Sequence, residues 1–197
     1  ATKLCSDKLF IAANNIKGNR DLRMSVVRYG NVMGSRGSVI PFFLEQVKSG
    51  ILPITDKRMT RFNISLNDAV AMVMWALENS LGGEIIVPKI PSYKITDVAK
   101  AIGPNCEMPI IGIRPGEKVH EEMITSADSF NTFDLGNYYI VLPSDAKNEL
   151  KYKNAGMNIK RVEYGFSYNS LNNPNFLSVE QLRALIRKEI DPSFEPL

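Results

Sequence analysis

The side chains best suited to chemistry are spread along the 197 residues and share one theme, the holding of an anion. Glycines at 30, 34 and 37 follow a β-branched run ending at Tyr29, where they let backbone approach a ligand closely. In open α/β sheets, ligands sit just outside the carboxyl ends of strands. Gly30–Ser38 reads as well as an ordinary glycine-rich connection, and Asn31 within it has an amide that donates and accepts. Arg36 lies in that loop, Arg61 in Met59-Thr60-Arg61-Phe62, and Arg114 in Ile113-Arg114-Pro115-Gly116-Glu117-Lys118. Guanidinium forks suit phosphate oxygens; the alternative for each is a surface arginine or an ion-pair partner. Glu117 can accept from sugar hydroxyls or serve as an acid favoured at a helix N-terminus.

Other chemistries find no support. No GxGxxG or GxxGxxG follows a strand, and there is no P-loop, no GxSxG and no Ser–His or Cys–His pair with an orienting acid. Cys5 and Cys106 are about a hundred residues apart without a CxxC companion, which predicts buried or incidental thiols in a reducing compartment and no metal site. The single histidine, His120, has no partner at a ligand spacing and is expected at the surface or in a local hydrogen bond. With 24 Lys+Arg against 21 Asp+Glu the net charge is +3, which excludes a polybasic nucleic-acid binder. At 44% apolar and 23% charged the chain has the composition of a globular protein. No apolar run approaches the ~20 residues of a membrane span, and no secretory leader is visible. The expectation is a cytoplasmic protein with no membrane and no nucleic-acid partner.

The elements that must position these groups read as an α/β pattern. Residues 1–16 have helix-interior character from the first residue, so the chain is expected to begin in mid-domain. Residues 24–29 suit a buried strand. Pro41 stands near the first turn of a helix with Phe42, Phe43 and Val47 on its apolar face and Gly50 at its end. Two short extended pieces follow over 52–64. Val70, Val73, Met74, Leu77 and Leu81 predict a second helix, stopped by Gly82-Gly83. Strands are predicted at 84–87, 108–113 and 138–142, a short helix capped by Thr96, and a loop over 164–175. Ser178-Val179-Glu180-Gln181 has the spacing of a capping box and opens a C-terminal helix. Alternating strands and helices imply an α/β sheet rather than a bundle or sandwich.

Several blocks taken together carry a resemblance: Arg28-Tyr29-Gly30-Asn31-Val32, Gly37-Ser38-Val39-Ile40-Pro41-Phe42-Phe43, Met59-Thr60-Arg61-Phe62, Gly82-Gly83-Glu84-Ile85, Ile113-Arg114-Pro115-Gly116-Glu117-Lys118-Val119-His120-Glu121 and Asn175-Phe176-Leu177-Ser178. In order and over nearly the whole chain, they resemble the inverting UDP-N-acetylglucosamine 4,6-dehydratases of the extended short-chain dehydrogenase superfamily. The chemistry this implies is redox-neutral. Hydride passes from sugar C4 to NADP, the 4-ketone acidifies C5, water leaves from C6, and hydride returns to C6 with inversion at C5. The product class is a 4-keto-6-deoxy amino sugar for pseudaminic-acid-type surface glycans.

The resemblance also implies roles. Lys3 matches the lysine of a Tyr-x-x-x-Lys pair that holds the nicotinamide ribose, and its tyrosine would lie two places before Ala1. Tyr29 and Gly30 match positions lining the nicotinamide. Asn31 matches a diphosphate or sugar contact, Ser38 and Val39 a backbone-rich wall over the nucleotide, and Pro53, Ile54 and Thr55 the strand of the uracil pocket. Arg61 and Arg114 match a diphosphate clamp, and Glu117 a ribose acceptor.

The implied fold is the C-terminal part of a Rossmann-type doubly wound parallel sheet with a smaller α/β substrate-binding lobe. Residues 1–38 and 65–90 are assigned to the dinucleotide-binding sheet and 39–64 and 91–197 to the nucleotide-sugar lobe, with the ligand between them. The acid/base pair and the dinucleotide loop are expected upstream, so residues 1–197 alone are expected to be inactive. The intact enzyme is expected to bind UDP-N-acetylglucosamine or a related UDP-sugar and to be a homo-oligomer, its first helix being apolar on more than one side at Leu4, Leu9, Phe10, Ile11 and Ile16. The alternatives are a retaining dehydratase or UDP-sugar 4-epimerase on the same scaffold, and a non-catalytic nucleotide-sugar-binding module.

Overall fold

A computed structural model of the chain describes residues 2–144 and 146–197; of Thr2, Lys3, Leu4 and Ala146 it describes the backbone alone. The helices are α1 (Thr2–Ala13), α2 (Val39–Gln46), α3 (Leu66–Asn79), α4 (Ile95–Ile102), α5 (Ala146–Asn154) and α6 (Val179–Glu189). The strands are β1 (Val26–Val27), β2 (Asn31–Val32), β3 (Thr60–Ile64), β4 (Ile85–Pro88), β5 (Ser92–Lys94), β6 (Glu122–Ile124), β7 (Thr132–Asp134), β8 (Tyr138–Val141), β9 (Lys160–Arg161) and β10 (Tyr168–Asn169). They divide into two compact units, one of residues 1–29, 67–89 and 123–168, the other of residues 30–66, 90–122 and 169–197.

The first unit holds a five-stranded sheet in the order β1-β4-β8-β7-β9. β1 and β4 are parallel, with Val26 opposite Ile85 and Val27 opposite Ile86. Beyond β4 the sheet turns antiparallel, because β7 and β8 form a hairpin whose second strand pairs Ile85 with Val141 and Pro88 with Tyr138. All four residues of β4 are buried, as a strand with neighbours on both sides and covered faces requires. α3 covers one face with Met72 and Ala76, which pack on Ile86, Phe133 and Ile140. The expected division left 123–168 with the substrate lobe; pairing of β8 on β4 puts that stretch in the first unit. Ordered pairing at 24–29 is confined to two residues, and α1 ends at Ala13, where the Asn14 side chain bridges the Met24 backbone in both directions, at 2.6 and 3.1 Å.

The second unit is built on a three-stranded sheet, β2-β3-β5, parallel between β2 and β3 and antiparallel between β3 and β5. Its core joins Ile40 and Phe43 of α2 to Val98, Ala99 and Ile102 of α4 and to Leu182 and Ile186 of α6. The small side chains at 99 and 101 let α6 approach α4, and Arg183 donates to the Ala101 and Lys100 carbonyls at the end of α4. The capping box read at Ser178 and Gln181 is present, with reciprocal bonds of 2.8 and 3.2 Å. Thr96 does not cap α4. β5 runs straight into that helix, so the extended residue before it is Lys94. Nor does 108–113 form a strand. Pro109 lacks an N–H, and the segment makes one isolated bridge, Ile54 with Ile110, with a second, Ile51 with Glu107, just before it.

Candidate functional site

β2, β3 and the N-terminus of α2 set three walls of a cleft of about 600 Å3 within the second unit. Gly30 brings β2 against β3: a Cβ there would lie 2.5 Å from that of Phe62, so the close approach of these strands requires a residue without one. Asn31 follows at the cleft edge. The chain then turns through Gly34 and Gly37, both with positive φ, and enters α2 at Ser38.

Of the nine residues matched to substrate contacts, the cleft brings together Asn31, Ser38, Val39, Pro53, Thr55, Arg61, Arg114 and Glu117, with Arg36 beside them. Ile54 is not among its lining residues. It is 1% exposed in the hydrophobic core, and its backbone bonds to Pro109 and Ile111 hold the two cleft-side segments together. Tyr29 and Lys3 belong to the first unit. The Tyr29 ring is exposed just past the end of β1, and the Lys3 side chain lies outside the described residues.

Ser38 caps α2 by position only. Its hydroxyl is buried without a hydrogen-bond partner among the described residues, on a cleft wall and at the positive end of a helix dipole. An anion seated there would give it one.

Arg61 is 13% exposed in its side chain and is held firmly. Nη1 donates to the Thr60 and Val119 carbonyls at 2.8 and 2.9 Å, while Nη2 lies 3.7 Å from Glu117 and Nε 3.9 Å from Glu121. Arg114 is exposed, and its backbone N–H reaches Glu117 Oε2 at 3.3 Å. Glu117 therefore stands between the two arginine segments.

Residues that sequence reasoning missed include Tyr93, Met59 and Ile111, which complete the wall. Tyr93 is opposite Arg61 in the β3–β5 register and buried; burial, with the nearby Glu121 carboxylate, raises its phenol above the usual range and keeps it protonated. Its strand is only Ser92-Tyr93-Lys94, preceded by Pro91, and so carries too little β-branched or aromatic character to be read as one.

His120 is locally hydrogen-bonded, its Nδ1 lying 2.8 Å from Thr60 Oγ1. Burial and the Arg61 and Arg58 charges lower its pKa, favouring the neutral ring. Cys5 is exposed and Cys106 partly buried. Among the described residues no His/Cys/Asp/Glu group could hold a metal ion, and no helix is long and apolar enough to cross a membrane.

Comparison with known proteins agrees on one family. A sequence profile described as polysaccharide biosynthesis protein matches residues 1–143. The UDP-N-acetylglucosamine 4,6-dehydratase (inverting) of Campylobacter jejuni subsp. jejuni serotype O:2 is 54% identical over 192 residues, which is 94% of this chain and 58% of that protein. The UDP-glucose 4-epimerase of Rickettsia canadensis is 39% identical over 94% of this chain and 55% of its own length. Among solved structures, that of Pen from Bacillus thuringiensis matches with a TM-score of 0.79 at 34% identity, covering 95% of this chain and 56% of that one. The chain thus spans less than two thirds of the length of these relatives.

Proposed function

The chain belongs to the polysaccharide biosynthesis protein family, and on that premise we propose that the intact protein is an NADP-dependent UDP-N-acetylglucosamine 4,6-dehydratase that inverts C5. The observation that carries this reading is the 54% identity, over 94% of the chain, to the Campylobacter jejuni protein of that name. The Rickettsia epimerase, at 39%, ranks behind it. The product would be a 4-keto-6-deoxy amino sugar for pseudaminic-acid-type surface glycans.

The cleft supports the nucleotide part of this reading. A diphosphate fits at the N-terminus of α2, where the unpartnered Ser38 hydroxyl donates to it and Arg36, Arg61 and Arg114 supply positive charge. Pro53 and Thr55 offer the base an apolar edge and a polar one. Glu117 accepts from the ribose hydroxyls, and Asn31 is left for the sugar or the adjoining phosphate. These contacts hold the nucleotide so that the sugar is presented in one orientation, which is the contribution positioning makes to such an elimination.

NADP supplies reversible hydride transfer when bound. Tyr29 and Gly30 fit a place beside it, since they follow the carboxyl end of β1, a strand parallel to β4. Lys3 is the third residue we assign to it. In this reading residues 1–29 and 67–89 are part of the dinucleotide-binding domain, and the second unit is the core of the nucleotide-sugar lobe. A cytoplasmic homo-oligomer is proposed as well, supported by the outward Leu9 and Phe10 on α1.

The test is incubation of the intact protein with UDP-N-acetylglucosamine and either NADP or NAD, followed by NMR of the product. A 4-keto-6-deoxy sugar inverted at C5 is expected. Retention at C5, a 4-epimer, or UDP binding without turnover would each replace the proposal with one of the other three readings.

A further inference from the structure

Glu121 is not part of the cleft wall, yet its carboxylate is tied to residues that are. Oε1 accepts from Asn31 Nδ2 at 2.8 Å, and Oε2 accepts from the backbone N–H of Phe62 at 2.8 Å. Arg61 Nε lies 3.9 Å from Oε1. One side chain therefore links the start of β2 to the middle of β3. Its own backbone is pinned by the fully buried Ser170, whose hydroxyl accepts the Glu121 N–H at 2.9 Å and whose N–H donates to the Glu121 carbonyl at 2.8 Å.

The chemistry of this arrangement is directional. A carboxylate only accepts, so the nitrogen of the Asn31 amide must face Glu121 and its oxygen must face away. Without that carboxylate the two ends of the amide would be interchangeable, and a ligand would have to select one and meet the cost of ordering it. The same holds for Arg61. With Nη1 already committed to two carbonyls, the acidic groups near Nε and Nη2 settle the remaining freedom of the guanidinium plane.

We propose that Glu121 is the positioning residue of the cleft: it sets the amide orientation of Asn31 and the plane of Arg61 for a nucleoside diphosphate that it does not itself touch. The proposal rests on the nucleotide reading given above. It assigns Glu121 an effect on affinity that passes through Asn31, which a merely structural glutamate would not have.

The experiment uses the intact protein with UDP as the probe, in two measurements. In the first, the Asn31 side-chain amide is followed by NMR after selective asparagine labelling, without nucleotide. Glu121→Gln should shift both amide protons, because a glutamine in that place satisfies only one of the two donors and opposes the other with its own NH2. In the second, UDP affinity is measured calorimetrically for Glu121→Gln, Glu121→Ala, Asn31→Ala and the double variant. Glu121→Ala should weaken UDP binding about tenfold and Glu121→Gln less, whereas in the Asn31→Ala background the same replacement should cost threefold or less. An unmoved Asn31 amide in Glu121→Gln, or equal losses in the two backgrounds, overturns the proposal. Wild-type protein that takes up no UDP, with the amide shift present, overturns the nucleotide reading instead.

Discussion

The Glu117 carboxylate lies 3.7 Å from the Arg61 guanidinium in a cleft that both side chains line. A carboxylate beside an arginine competes with any phosphate that the arginine would hold, so in the proposed reading this acid would have two opposed effects on a nucleotide. It would contribute a ribose acceptor and it would oppose the diphosphate. The two effects separate by choice of ligand. Replacement Glu117→Ala is expected to weaken UDP about tenfold, while inorganic pyrophosphate, which has no ribose, binds as well or better. Calorimetric titration with both ligands is the measurement, and equal weakening of both would show that Glu117 orders the cleft rather than reading the sugar.

Arg114 lines the same cleft but is exposed, whereas Arg61 is largely buried and held by two carbonyls. Removing it should leave a bound diphosphate short of a charge-assisted bond, at a cost of about 2 kcal/mol in UDP affinity. Arg114→Lys should restore part of this, since an ammonium lacks the planar fork. Raising the salt concentration should narrow the gap between wild type and Arg114→Ala. UDP affinity unchanged in Arg114→Ala would remove this residue from the clamp.

Gly30 tests the packing beneath the site. The Cβ of an alanine there would stand 2.5 Å from Phe62, whose side chain is fully buried and cannot yield cheaply. Gly30→Ala should therefore lower stability by about 1–3 kcal/mol, read as a fall in thermal midpoint. Because Asn31 is the next residue, UDP affinity should fall as well.

Much of this frame was legible because it is local. The Ser178–Gln181 box lies within one turn, and the apolar spacing of α3 marks it as a helix without reference to anything else. The bonds that organise the site are not local. Glu121 meets Asn31 and Phe62 across 90 and 59 residues, and neither partner carries a pattern that points to a glutamate. β7 and β8 are three and four residues long and are held by pairing, β8 on β4 and β7 on β8, so only the apolar run at β8 was visible. α5 is almost wholly polar and offers no periodic face to read. The cleft residues were found through the matched motifs, whereas Ile54, inside one of those motifs, turned inward because strand-like backbone alternates its side chains.

Glu84 makes stability depend on pH. It is 1% exposed, and its Oε1 has no partner among the described residues; burial raises its pKa against the lowering effect of bonds to the 81–84 backbone and Tyr152. Above the ordinary carboxylate range the folded chain thus retains a proton that the unfolded chain has already released. Stability from this group is complete below that range and is lost as pH rises through the raised folded value. Glu84→Gln should flatten this decline and melt higher than wild type at pH 8. A wild-type midpoint that rises steadily from pH 5 to pH 8, with Glu84→Gln following in parallel, would show that burial does not govern this carboxyl.

β4 is flanked by β1 on one side and β8 on the other, and its four residues are inaccessible. Opening it means detaching a parallel neighbour and an antiparallel one together. Its amide protons should accordingly be among the last in the first unit to exchange with deuterium, and those of β9 at the sheet margin among the first. The exchange map would mark Ile85–Val87 as the segment around which the rest of that unit comes apart, the kinetic centre of a unit that contributes no residue to the cleft wall.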